Sequence, residues 1–173
     1  MDDNKHWFAA YTKSRHEKSV NDRLQQKNIT TFLPLIKEKK QWKDRKKLVE
    51  TPLIKSYIFV NIEHKNLLYV LQTHGVVNIV KIGNQYTKIP DYQIDALQKA
   101  LEEKLTLTPV KCYSAGEMVK VKYGPLQGKI GRIINISGNS KLLLSIDAIN
   151  YAFSTPIEPE NVEKLPKNCE RND

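Results

Sequence analysis

Residues 37–47, "KEKKQWKDRKK", hold seven Lys/Arg against two acids, with a tryptophan among them. Cations at this density suit a polyanion, because each phosphate contact releases bound counterions. An indole inside such a run can stack on a base or ribose with little regard to sequence. Lys39, Lys40, Trp42, Lys43, Arg45, Lys46 and Lys47 are therefore candidate nucleic-acid contacts. Lys13, Arg15, His16, Lys18 and Arg23 form a second basic group. Its lysines would supply affinity, while Arg15, His16 and Arg23 are suited to reading base edges. The competing reading of both groups is a solvated charged surface. The formal net charge of +9 favours the polyanion.

Other chemistries lack their residues. No G-x-S-x-G appears, no Gly-rich phosphate loop precedes a helix, and no carboxylate pair stands out, so the chain reads as a non-enzyme. Asp147 sits alone in an apolar stretch and reads as a turn or edge residue. The histidines (His6, His16, His64, His74) make no metal-binding spacing with Cys112 and Cys169, and neither a metal nor a cofactor is expected. The two cysteines are far apart and no CxxC occurs, which fits a reduced, cytoplasmic chain. No apolar run has the length of a signal peptide or a membrane span, so no membrane partner is expected.

These groups need elements to hold them. "HWFAAYT" (6–12) predicts a strand, and Ser14 with Glu17 spells a capping box before a helix carrying Val20 and Leu24 on one face, with Asn28 as its stop. "TTFLPLI" predicts an edge or irregular strand, since Pro34 removes a ladder donor. With "LVETPLIKSYIFVNI" it would form a long hairpin whose tip is the basic run. "NLLYVLQTHG" has helical spacing up to Gly75, "VVNIVKIG" and "QYTKIP" read as strands, and "DYQIDALQKALEEKL" reads as a helix with Asp91 at its N-cap and Ile94, Leu97, Leu101 and Leu105 on one stripe. "TLTPVKCYSAG" has no period and reads as a linker. Only short β segments follow, with Gly124, Pro125, Gly128 and Gly131 marking a tight turn in "KVKYGPLQGKIGRI". The expected domains are 1–105, a linker over 106–114, a β domain over 115–166 and a flexible tail over 167–173. Residues 1–105 carry 19 Lys/Arg against 12 acids, and the remainder 9 against 7, so the polyanion-binding face belongs to the first domain.

Three stretches, "WFAAYTKSRHEKSVNDRL", "PLIKSYIFVNI" with "THGVVNIVKIG", and "GEMVKVKYGPLQGKIGRIINI", stand in an order that resembles the NusG family of transcription elongation factors. The resemblance implies an α+β fold: an N-terminal NGN α/β sandwich with an antiparallel sheet, then a small SH3-like β-barrel, the KOW domain. "RHEKSV…FLPL…QWKDRKK…PLIKSYIFV" is similar to the specialised RfaH-like and UpxY-like antiterminators of polysaccharide operons. The family often has Pro-Gly-Tyr in the central strand, where this chain has Lys55-Ser56-Tyr57.

The family's role implies a factor that binds RNA polymerase and suppresses pausing or termination. A housekeeping NusG-type factor and a KOW-containing RNA- or ribosome-binding protein are the alternatives. The matching positions for the clamp helices of the largest polymerase subunit are Tyr11, Phe59 and Ile79; strand periodicity alone favours plain core packing for each, and the resemblance implies an exposed apolar patch. Asn66 matches a contact to the opposite pincer, whereas Leu67 and Leu68 read as a buried helix face. The basic groups would meet the non-template DNA strand. The KOW domain recruits Rho or the ribosome in related proteins, with Lys129 and Arg132 as its secondary contact. A monomer is expected. Whether the free KOW domain is a barrel or a helical form packed on the NGN domain stays open, with "LLLSIDAI" the one segment able to be helical.

Overall fold

A computed structural model describes residues 4–41, 46–110, 116–136 and 138–166. The architecture is α+β and divides into two compact units, Met1–Lys88 and Ile89–Asp173.

The first unit runs β1 (Lys5–Thr12), α1 (Glu17–Gln26), β2 (Thr30–Phe32), β3 (Leu35–Gln41), β4 (Lys46–Pro52), β5 (Tyr57–Glu63), α2 (Leu67–Leu71), β6 (Val76–Ile79), β7 (Lys81–Ile82) and β8 (Gln85–Tyr86). Strands β2-β5-β1-β6 form its main antiparallel sheet in that order. Strand alternation divides β5 cleanly. Ile58, Val60 and Ile62 join Phe8, Ala10, Val20, Leu24 and Val70 in one core beneath the helices. Tyr57 and Phe59 take the opposite face, paired with Tyr11 and Ala9 of β1. Each fully buried aliphatic or aromatic side chain in such a core stabilises by about 1.5–3 kcal/mol. The expected hairpin is present: β3 and β4 pair from Leu35↔Pro52 to Gln41↔Lys46.

The capping box does not form. The N-cap of α1 is His16, with no side-chain cap, and Arg15 before it adopts a left-handed φ of 63°. Glu17 is buried, and its Oε1 accepts a hydrogen bond from the Ser56 backbone N–H at 2.8 Å. The carboxylate that the sequence assigns to capping instead ties the helix start to the β4–β5 connection. Ser56 is itself left-handed, at φ 61°, and its carbonyl accepts from the Thr12 N–H at 2.8 Å. Ser56 stands where the pattern of the resemblance has glycine, the residue that takes a left-handed conformation without strain. A β-carbon there costs strain that glycine avoids. Ser56→Gly is expected to stabilise the first unit by about 0.5–1 kcal/mol. Urea unfolding followed by tryptophan fluorescence checks this, since Trp7 and Trp42 both fall in the first unit.

Strand β9 (Lys88–Ile89) lies at the junction of the units. The second unit continues with α3 (Asp91–Glu102), β10 (Thr108–Val110), β11 (Glu117–Val121), β12 (Ile130–Ile136), β13 (Asn139–Ile146), β14 (Tyr151–Pro156) and β15 (Val162–Lys164). Its antiparallel sheet has the order β10-β14-β13-β12-β11-β15. "LLLSIDAI" contributes strand through Ile146 and then a single 3₁₀ turn, Asp147–Ile149. The stretch read as a linker, 106–114, contains β10, which pairs with β14 from Thr108↔Ser154 to Val110↔Ala152.

Helix α3 groups with this second unit, where the sequence puts it in the first domain. Ala96 and Ala100 pack into a core with Val119, Leu126, Leu142 and Leu144. Gln93, 4% exposed, donates from Nε2 to Asp147 Oδ2 at 2.7 Å and accepts from the Asp147 N–H at 3.1 Å. Asp147 thus sits at a turn as read, and it also anchors α3. Asp91 is the first helical residue and Pro90 the N-cap. An acid in the first turn still faces the positive end of the helix dipole.

Candidate protein and nucleic-acid interface

The turn between β1 and α1 gathers one basic group. Lys13 donates its backbone N–H to the Gly75 carbonyl at 2.8 Å. Arg23 Nη1 donates to Ser19 Oγ and to the His74 carbonyl, each at 3.1 Å. The His16 and His74 rings stand 6.2 Å apart. His16 Nδ1 lies 3.0 Å from the Ser14 carbonyl, which can only accept, so Nδ1 carries the proton and Nε2 is left for a ligand. Lys13, Arg15 and Lys18 are exposed, and His16 and Arg23 are half-buried. The surface also includes His74, which the sequence reading left out. It lies 51 residues from Arg23. Only the fold brings them together, and no local signal could have done so.

The second basic group is at the hairpin. Lys40↔Lys47 and Lys39↔Leu48 are register pairs of β3 and β4. Trp42, Lys43 and Arg45 lie outside the described residues.

The three apolar positions divide between the two faces of the sheet. Tyr11 is 43% exposed, and its ring meets the Tyr57 ring edge-on at 5.3 Å. Phe59 lies on the same face, fully buried, stacked on Phe32 with centroids 5.9 Å apart. Ile79 is fully buried on the helix side, opposite Ala10 and in the core with Phe8. Across from Tyr11 stands Asn78, and the register shifts at the next position along β1. The exposed patch expected of Tyr11, Phe59 and Ile79 is therefore corrected: Phe59 and Ile79 are core residues, and of the three only Tyr11 is exposed, with half-buried Tyr57 beside it. This Tyr11–Tyr57 edge, aromatic with polar tips, suits a protein partner.

Asn66 is the half-buried N-cap residue of α2. Leu67 is buried as read, but Leu68 is 59% and Tyr69 58% exposed, so α2 presents two large apolar side chains outward. In the second unit, Gly124 and Gly128 take φ of 97° and 81°, which the tight turn at Pro125 requires. Gly131 serves differently: a Cβ there would meet the Leu143 carbonyl at 2.8 Å. Lys129 is paired with Asp95 of α3 at 3.8 Å, and Arg132 is half-buried in β12 opposite Met118 and Leu143.

Among the described residues no group of three or more His, Cys, Asp or Glu is placed to hold a metal ion. No described helix is long and apolar enough to cross a membrane.

Residues 5–98 match the family model described as "NusG: Transcription termination factor nusG". The chain is 26% identical over 178 residues to the transcription termination/antitermination protein NusG of Staphylococcus carnosus (strain TM300), covering 93% of this chain and 96% of the relative. Among solved structures it is similar to Thermotoga maritima NusG, in a study of domain interaction (TM-score 0.49, 21% identity, 94% of this chain and 98% of that one). It is also similar to an MjSpt4:Spt5 complex in conformation A (TM-score 0.31, 17% identity, 93% and 99%).

Proposed function

This chain belongs to the NusG family of transcription termination and antitermination factors, and on that premise we propose that it binds transcribing RNA polymerase through its first unit and suppresses pausing or termination. The observation that carries this reading is the pairing of two surfaces in one unit. One is the Tyr11–Tyr57 edge of the sheet, and the other is the basic turn of Lys13, Arg15, His16, Arg23 and His74. The aromatic edge, backed by Phe59, receives the clamp helices. The basic turn and the hairpin run 37–47 meet the non-template DNA strand. Asn66, with exposed Leu68 and Tyr69 beside it, faces the opposite pincer of polymerase.

A factor gripping both sides of the nucleic-acid cleft favours whichever polymerase state keeps the clamp closed. It acts by differential binding and requires no reaction of its own. The turn at Gly124, Pro125, Gly128 and Gly131 supports a second, recruiting surface for Rho or the ribosome on the KOW half. The cytoplasm is the compartment this role requires. A specialised operon is the reading we carry forward, on the similarity of the basic hairpin to the polysaccharide-operon paralogues.

Capture of purified polymerase by the immobilised full chain tests the main reading. Wild type is expected to retain polymerase, and Tyr11→Glu, at an exposed site, to retain at least about tenfold less, since a buried charge at an interface centre costs more than 1.4 kcal/mol. If wild type does not retain polymerase, or if Tyr11→Glu retains it equally, the reading fails. Reversing Lys43 and Arg45 should weaken association with complete elongation complexes at moderate salt and leave capture of bare polymerase unchanged.

A further inference from the structure

Two imidazoles stand at the basic turn, and the backbone constrains the chemistry of one of them. His16 Nδ1 donates to the Ser14 carbonyl at 3.0 Å. In the neutral ring that bond uses the one N–H, and Nε2 is left as an acceptor. The phosphodiester oxygens of a nucleic acid are acceptors too. Nε2 therefore bonds to a phosphate only after it takes up a proton. The side chain lies along Gly75, where an added Cβ would come within 3.5 Å of His16 Cδ2. The His74 ring is exposed and stands across from it, with centroids 6.2 Å apart and planes inclined at 60°. The His74 carbonyl accepts from Arg23 Nη1 at 3.1 Å, which sets the guanidinium beside the pair.

The charged groups around the pair are mostly positive. The β1–α1 turn supplies Lys13 and Arg15, α1 supplies Lys18 and Arg23, and Lys55 precedes Ser56 on the β4–β5 connection. Glu17 is buried, and its Oε1 is committed to the Ser56 N–H at 2.8 Å. Asp22 is exposed on α1, and six residues beyond His16 it falls on a different side of the helix. Among the described residues no carboxylate is bonded to either ring. An anion brought to the pair favours the charged form of both imidazoles.

We propose that His16 and His74 form a phosphate site whose occupation takes up protons, so that the basic turn holds nucleic acid more tightly as pH falls. The proposal rests on the reading that this turn meets DNA, and adds to it how the grip is regulated. Lysine and arginine keep their charge between pH 5 and 8, so they give affinity without pH dependence there, whereas imidazole ordinarily titrates in that range. The sign follows from the bound phosphate, which raises the proton affinity of the rings. The added affinity is present at low pH and is lost as pH rises through the titration of the bound state. A base N–H given to neutral Nε2 is the competing contact, and it predicts the opposite sign. The other two histidines do not share the site. His6 lies near the start of β1, at the far end of the strand from the turn, and its Nε2 accepts from Lys88 Nζ at 3.0 Å. The His64 ring meets Phe8 and Tyr86 edge-on.

The test is fluorescence anisotropy of a labelled oligothymidylate with the full chain, from about pH 5.5 to about pH 8 at constant ionic strength. Neither thymine nor the phosphodiester changes charge in that range. Wild type should bind about 100-fold more tightly at the acid end, about tenfold for each ring whose titration the phosphate raises by one pH unit. His16→Gln should keep about a tenfold change, and His16→Gln with His74→Gln should vary by less than about twofold. The histidine Hε1 resonances of the wild-type chain, followed against pH with and without the oligonucleotide, give a readout independent of how the variants fold. Those of His16 and His74 should titrate at higher pH when DNA is bound, and those of His6 and His64 should not move. No binding at any pH overturns both this site and the reading it rests on. Binding that is independent of pH, that tightens as pH rises, that keeps its wild-type pH dependence in the double variant, or that leaves the His16 and His74 titrations unmoved overturns the phosphate site alone.

Discussion

Phe59→Ala is expected to destabilise the first unit by about 3–5 kcal/mol, the range for a large aromatic truncated in a packed site. Phe59 is fully buried at the middle of β5, between the register pairs Ala9↔Phe59 and Phe32↔Phe59. Its ring stacks on Phe32, so truncation removes apolar burial and an aromatic pair together. Tyr11→Ala should cost only about 1 kcal/mol, because Tyr11 already exposes 43% of its surface and its main loss is the edge contact with Tyr57. Both variants should capture polymerase poorly, for different reasons. In urea, tryptophan fluorescence follows the first unit, because Trp7 and Trp42 both precede the boundary at Lys88. A midpoint for Phe59→Ala within the error of wild type would show that the site relaxes around the loss. A large shift for Tyr11→Ala would make Tyr11 a stability residue and weaken its reading as a contact.

What could be read from the chain before folding follows the reach of each signal. "YIFVNI" alternates cleanly, and its two faces in the structure are those the alternation dictates, Ile58 and Val60 against Tyr57 and Phe59. The hairpin around 37–47 was legible because two β-rich stretches flank a polar run. Signals that depend on one hydrogen bond proved less secure. Ser14 and Glu17 have the spacing of a capping box, but Arg15 turns left-handed and Glu17 reaches Ser56, a partner 39 residues away. Ile79 was placed with Tyr11 because both match one motif. The register opposes Tyr11 to Asn78 and Ala10 to Ile79, and a displacement of one residue in a strand moves a side chain to the other face. His74 reached the basic surface through a tertiary contact with Arg23 that carries no local pattern. Helix α3 was legible as a helix and illegible as to partner. Of its stripe of Ile94, Leu97, Leu101 and Leu105, Ile94 and Leu97 are fully buried and Leu105 packs against the core that Ala96 and Ala100 join with Leu142 and Leu144, a second face that the stripe did not announce.

The basic turn supports the second large expected effect. Reversing Lys13, Arg15 and Lys18 to glutamate together should lower the affinity of the full chain for single-stranded DNA by about 100-fold at low salt. It should also flatten the salt dependence, the slope of log K against log salt falling in magnitude by about 2, since each lost phosphate contact on single strands contributes about 0.7. All three side chains are exposed, so the loss is electrostatic and the fold should hold. Arg23→Ala should behave differently. Its guanidinium is anchored on Ser19 Oγ and the His74 carbonyl, so it fixes the helix against the α2–β6 connection as well as contributing charge. Removing it should change the slope by about one contact while also lowering the urea midpoint, whereas Arg23→Lys should restore the slope and only part of the stability, because an ammonium cannot reproduce the planar fork. Fluorescence anisotropy of a labelled oligonucleotide, repeated across a salt series, separates these cases. If the triple variant keeps the wild-type slope, the basic turn does not meet phosphates and the hairpin alone must carry the nucleic-acid contact. If Arg23→Ala changes the slope with no change in stability, its bonds to Ser19 and His74 orient the charge without supporting the fold.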